Sequence, residues 1–269
     1  MTENPSANSP LLCFGLFADA HYAQLVYGDR HCSDSLEKLG VAIQVFQRDE
    51  VDFVVCLGDL IDKAEDKATE LGYLAAMQQV LARYPGDCHY LLGNHDVATL
   101  TKAEYLARCG GRAYYVFIRG GIRFVVLDGN CHADGSDFNA GDFAWDQAWI
   151  GAAQLDWLAG QLRRGEEPVI ILCHENLDDR SEAGVPDPHV LRNAAQVRDV
   201  LEQSGRVRAV FQGHYHPGLQ RLVNGIPYIG LRAMVVGPGL GNNAFAVVEV
   251  GADGRICGRG FGQQADFSC

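Results

Sequence analysis

Five short pieces of the sequence carry side chains able to bind metal or move protons. They are Asp19-Ala20-His21, Gly58-Asp59, Gly93-Asn94-His95-Asp96, His174 and Gly213-His214-Tyr215-His216. Each follows directly on an apolar run of strand length, at residues 11–18, 52–57, 88–92, 168–173 and 208–212. Taken singly, each piece reads as turn chemistry, because Asp, Asn and Gly favour turns for local reasons. Taken together, they place His, Asp and Asn at the carboxyl ends of five strands, where open α/β sheets carry their sites. That convergence points to a metal site. Mixed imidazole and carboxylate ligation suits Mn, Fe, Zn or Co better than Ca or Mg.

Helical patterns separate these strands. Over residues 34–48, Leu36, Leu39, Ile43 and Phe46 recur at helical spacing, and Asp34 with Glu37 is positioned to cap the start. Residues 70–83, 151–164 and 190–203 read likewise, and a further apolar run lies at 123–127. The alternation predicts βαβ units and a largely parallel central sheet. From 217 to 260 the pattern changes to short β-rich pieces split by Asn224-Gly225, Gly237-Pro238-Gly239 and Asp253-Gly254. These are hairpin signals and predict an antiparallel sheet added to the α/β body.

Composition narrows the class. The 269 residues are 48% hydrophobic and 21% charged, as in an ordinary folded protein. One domain over residues 11–269 is expected, behind a flexible polar tail at 1–10 that lacks the pattern of a secretory signal. Lys plus Arg number 22 against 34 Asp plus Glu, and the net charge of −12 argues against stable nucleic-acid complexes and anionic membranes. No apolar run reaches the roughly 20 residues of a membrane span. Nine cysteines, several inside apolar runs and none in a CxxC pair, read as reduced thiols of a cytoplasmic protein.

The order DAH, GDLID, GNHD, CHE, GHYH resembles the calcineurin-like metallophosphoesterase superfamily over residues 11 to about 216. The resemblance implies a four-layer α/β/β/α sandwich, two packed mixed sheets flanked by helices. It also implies a dinuclear centre. Asp19, His21 and His216 would hold one ion, Asn94, His174 and His214 the other, and Asp59 would bridge them. His95 would meet the substrate phosphate without binding metal, oriented by Asp96. The implied reaction is in-line attack by a metal-bridging hydroxide on a phosphodiester or diphosphate. The two ions lower the pKa of water and clamp the displacement. Two ions bring +4 against −2 from Asp19 and Asp59 and −1 from hydroxide, so the site attracts phosphate within an acidic protein.

A finer resemblance is to the manganese-dependent ADP-ribose/CDP-alcohol diphosphatase branch. It rests on the loop and helix over residues 22–39 with Ser35-Leu36-Glu37-Lys38-Leu39, on Gln154-Leu155 with Trp157-Leu158, and on Gly258-Arg259-Gly260. That branch commonly has Gln where this chain has His21. The substrate would then be a small nucleotide-derived compound, met by Tyr22, Tyr27, Arg30 and His31 of one loop and Asn176, Arg180 and His189 of another. Phosphomonoesters, phosphoproteins and cyclic nucleotides are alternatives on the same site. A non-catalytic scaffold would be expected to have lost ligands, and none is lost here. Trp145, Trp149 and Trp157 read as packing.

Overall fold

A computed structural model of the chain describes residues 10–142, 144–182 and 185–269. All of the tail expected at 1–10 except Pro10 lies outside the described residues. The chain runs β1 (Leu12–Phe17), α1 (Ser35–Arg48), β2 (Phe53–Cys56), α2 (Lys67–Leu81), β3 (Asp87–Tyr90), α3 (Lys102–Leu106), β4 (Tyr115–Arg119), β5 (Ile122–Leu127), α4 (Ala152–Leu162) and β6 (Val169–Cys173). It continues through the short pair β7 (Ser181–Glu182) and β8 (Val185–Pro186), then α5 (Ala194–Ser204), β9 (Val207–Gln212), β10 (Leu219–Val223), β11 (Ile226–Gly230), β12 (Ala244–Val250), β13 (Ile256–Gly262) and β14 (Phe267–Ser268).

The strands build two six-stranded mixed sheets, ordered β14-β13-β12-β1-β2-β3 and β10-β11-β9-β6-β5-β4. The parallel strands therefore do not share one central sheet. β1, β2 and β3 are parallel neighbours in the first sheet, and β5, β6, β9 and β11 in the second. Alternation along each strand explains the continuous apolar runs. Phe14, Leu16, Phe53, Val55, Phe124, Ile170, Leu172 and Phe211 form the core between the sheets. Phe17, Val54, Val125, Ile171 and Val210 point outward to the helices. The Phe14 ring stacks on Phe53 of its own sheet and meets Phe124 and Phe211 of the other edge-on. On the outer side Phe46 of α1 packs edge-on against Phe245 of β12. The α4–α5 pair packs over the second sheet, with α5 against β9.

The C-terminal strands do not form a separate added sheet. β10 and β11 join the second sheet while β12, β13 and β14 extend the first. Two hairpin signals hold: Asn224-Gly225, both at positive φ, joins β10 to β11, and Asp253-Gly254 lies between β12 and β13. The third does not. Gly237-Pro238-Gly239 lies in the crossover between sheets, where Lys38 of α1 grips the backbone. The fully buried Lys38 Nζ donates to Met234 O at 2.9 Å, Val236 O at 3.3 Å and Gly237 O at 2.7 Å. Substituting Lys38→Met keeps the stem and leaves these carbonyls without their donor. We expect a loss of about 3 kcal/mol, read as a lower urea midpoint.

Asp34 does not cap α1. A 3-10 turn over Cys32–Asp34 leads into the helix, so Asp34 already has right-handed backbone. Its carboxylate instead accepts from Gly239 N at 2.8 Å, a second tie to the crossover.

Candidate metal centre

The loops after β1, β2, β3, β6 and β9 meet at one rim. Asp19, His21, Asp59 and His214 all have left-handed backbone, with φ of 53°, 47°, 50° and 66°. Non-glycine residues seldom adopt it, at a cost of about 1 kcal/mol or more each, and such strain persists where surrounding bonds enforce it. Those bonds are present. Asp19 N donates to Gly58 O at 3.1 Å, His21 N to Asp59 O at 2.9 Å, and His214 N to the Asp19 carboxylate at 3.0 Å. Two motif glycines permit the close approach. A Cβ on Gly58 would sit 2.5 Å from His174 Nδ1, and one on Gly93 would collide with the Asp59 carboxylate.

Among the described residues three groups of potential ligand atoms result: Asp19, His21 and His216; Asp59, His174 and His214; and His21, Asp59 and His95, which shares one member with each of the other two. His21 Nε2 is 3.1 Å from His216 Nε2. Asp59 Oδ2 lies between the groups, 3.4 Å from His21 Nε2 and 3.3 Å from His174 Nε2. Asn94 is buried at the same rim. Asn94 Oδ1, His174 Nε2 and His214 Nε2 are buried with no hydrogen-bond partner. Buried polar atoms without partners are costly, and these are the donor atoms a divalent ion would satisfy. His174 Nδ1 is 2.8 Å from Leu57 O, which takes the Nδ1 proton and turns the Nε2 lone pair toward the cluster.

The electrostatics divide the candidate ligands: burial opposes a charged His174, yet Asp59 and Asp19 raise its pKa well above the usual imidazole range. Burial pushes the Asp19 carboxyl up to about 7, and the neighbouring Asp59 charge adds to it. Burial also works against the charge of Asp59, yet His174 and His21 hold its carboxyl well below the usual range. Burial lowers the pKa of His21, His214 and His216, favouring the neutral imidazole that binds metal. The donor set suits a divalent ion of the Mn, Fe, Zn or Co kind.

His95 stands beside this centre, its ring 4.6 Å from that of His21. Its orienting carboxylate is Asp62, not Asp96. Asp62 Oδ1 lies 2.9 Å from His95 Nδ1, and Oδ2 lies 3.3 Å from His21 Nδ1. Asp96 points inward, where it accepts from Asp59 N, Leu60 N, Ile61 N and Gly93 N and so locks the GDLID loop onto the GNHD loop. Burial opposes a charged His95, but Asp59 and Asp62 outweigh it and raise the pKa. With metal saturating, Asp62→Asn should lower kcat about 10–100-fold. On a His95→Ala background it should cost far less, a coupling that a double-mutant cycle measures.

Of the residues expected to meet substrate, Arg30 lines the cleft, with Nη1 3.4 Å from both Asp62 Oδ2 and His95 Nε2. Tyr22 is buried against Tyr73, and its hydroxyl accepts from Gln24. His31 hangs from Val235 O by its backbone and does not line the cleft. Asn176 is buried, donating to Gly213 O and accepting from Arg180. Arg180 is committed to Asp178 at 3.0 Å and lies over the Tyr215 ring. These last two brace the loop at 175–189 rather than face a ligand.

The expected His189 lines the cleft, and the structure adds two residues to it. Trp145 is not packing: it is 40% exposed and lines the cleft with His189 and Tyr215. Asp62 was visible as the second carboxylate of GDLID, but its partner was not. The cleft over the metal centre measures about 460 Å³. It shares Arg30 and His95 with an adjoining compartment of about 710 Å³ lined by Leu25, Tyr27 and Lys63. No described helix is long and apolar enough to cross a membrane.

Comparison with known proteins gives a consistent picture. The family model described as calcineurin-like phosphoesterase matches residues 14–218. The chain is 25% identical to a manganese-dependent ADP-ribose/CDP-alcohol diphosphatase of Oryza sativa subsp. japonica, over 92% of this chain and 91% of that one. It is 29% identical to the 3',5'-cyclic adenosine monophosphate phosphodiesterase CpdA of Escherichia coli (strain K12), over 78% of this chain and 69% of that one. Among solved structures, a dimetal phosphatase of Danio rerio superposes with a TM-score of 0.83 at 22% identity, covering 97% of this chain and 99% of that one. At that identity the likeness speaks for the fold.

Proposed function

This chain belongs to the calcineurin-like phosphoesterase family, a metal-dependent hydrolase by that membership, and we propose that it cleaves the phosphoanhydride of small nucleoside-diphosphate compounds such as ADP-ribose or a CDP-alcohol. The observation that carries this reading is the two-compartment cleft. A phosphomonoester needs only the space over the metal centre. A diphosphate with a substituent on each phosphate needs the continuation past Arg30 and His95 as well. Similarity to the rice diphosphatase along nearly the whole chain supports it.

In this reading Asp19, His21 and His216 would hold one ion and Asn94, His174 and His214 the second, with Asp59 set between the two groups. Manganese is the proposed metal, from the donor set and from the relative's manganese dependence. When bound, the pair supplies an activated water and Lewis acidity at phosphorus. The chain's own residues do the rest. Asp62 holds His95 by Nδ1, so Nε2 faces the phosphate, where it protonates the leaving oxygen or stabilises the equatorial oxygens. Arg30, beside that nitrogen, pairs with a non-bridging oxygen of the second phosphate. Asp96 keeps the two metal-bearing loops in register.

A manganese-loaded panel tests the reading: ADP-ribose, CDP-choline, cyclic AMP, bis(p-nitrophenyl) phosphate and p-nitrophenyl phosphate. ADP-ribose or CDP-choline should lead in kcat/KM by about 100-fold or more. A lead for cyclic AMP, the second reading that the Escherichia coli relative favours, would end the diphosphatase proposal and leave the metal centre standing.

A further inference from the structure

The compartment over the metal centre has an aromatic wall in which Trp145 and His189 belong to no metal-binding motif. Trp145 sits in a 3-10 turn, its ring 5.3 Å from that of His189 and 5.7 Å from that of His214. The His189 ring lies 5.2 Å from both His214 and Tyr215. His189 is held firmly. Asp187 Oδ1 takes its Nδ1 at 2.8 Å and its backbone N–H at 2.9 Å. Asp187 N in turn donates to Arg180 O, and Arg180 Nη1 lies 3.6 Å from Asp187 Oδ2 while the guanidinium covers Tyr215. Nδ1 donates to Asp187, and Nε2 makes no hydrogen bond among the described residues, so in the neutral ring its lone pair is open to a donor.

An exposed indole face beside a fixed acceptor nitrogen suits a hydroxylated ring. The indole covers the C–H face, and the nitrogen accepts a hydroxyl proton. We propose that Trp145 and His189 form the subsite for the sugar on one arm of the substrate, which fixes the class as diphosphates with a hydroxylated arm. The proposal rests on the diphosphatase reading above. It explains why a surface tryptophan stands at the metal rim, and why Arg180 is spent on bracing Asp187 and Tyr215.

The test pairs kinetics with binding. Trp145→Ala removes the face, and His189→Phe keeps the ring packing while deleting the acceptor. Each should raise KM for ADP-ribose about tenfold with a smaller change in kcat. The kcat/KM ratio of ADP-ribose to p-nitrophenyl phosphate, which has no hydroxylated arm, should drop by a similar factor. An unchanged ratio in both variants, or a loss confined to kcat, overturns the subsite. Separately, ribose 5-phosphate should quench tryptophan fluorescence of the manganese-loaded wild type and not of Trp145→Phe. This titration needs no turnover. If the wild type ignores ADP-ribose, the diphosphatase reading fails, yet quenching that depends on Trp145 still supports the subsite and its absence overturns it.

Discussion

Asp59→Asn should cost the protein its metal and, with it, about 1000-fold or more in kcat. Among the described residues Asp59 is the carboxylate set between the His21 and His174 groups, with Oδ2 near both and Oδ1 accepting from His95 N. Asn has the same shape and tolerates the left-handed backbone this position adopts, so the fold should survive. What changes is charge: the amide removes half of the anionic charge supplied by Asp19 and Asp59. Metal per chain, measured after dialysis against trace manganese, should fall from two to less than one. Retention of both ions would remove Asp59 from the shared position.

His95→Ala should separate chemistry from metal binding. General acid–base groups contribute about 10²–10⁴-fold, and kcat should fall within that range while both ions stay bound. Geometry makes this a sharp test, because His95 also lies within reach of His21 and Asp59 as a potential ligand. We propose the substrate side instead, on the bond from Nδ1 to Asp62 and the position of Nε2 beside Arg30. If His95→Ala stripped metal as fully as Asp59→Asn, His95 would be a ligand and its assigned role would be wrong.

The metal-competent residues were legible because the chemistry is particular about residue type and place. Asp19, His21, Asp59, Asn94, His174, His214 and His216 each follow an apolar run at a strand end, and the structure gathers all seven at one rim. The choice between Asp62 and Asp96 was not legible. Both are carboxylates in loops after parallel strands. Only the path of the backbone turns Asp96 toward four buried N–H groups and leaves Asp62 facing His95. Arg180 departs from its expected role because the folded loop brings it onto Asp178 and Asp187 and over the Tyr215 ring.

The fold divides the same way. Apolar runs buried on both faces announced strands, and Gly120-Gly121, both at positive φ, turn β4 into β5. Periodicity says that a strand is covered on both sides but not by what, so it could not assign β1 and β5 to different sheets. It could not turn Gly237-Pro238-Gly239 into a crossover either, since that depends on a lysine some two hundred residues earlier. Ligand types and strand ends are local properties, written in consecutive residues. Sheet partners, the carboxylate that reaches His95 and the aromatic wall of the cleft arise from contacts across the chain, and only packing decides them.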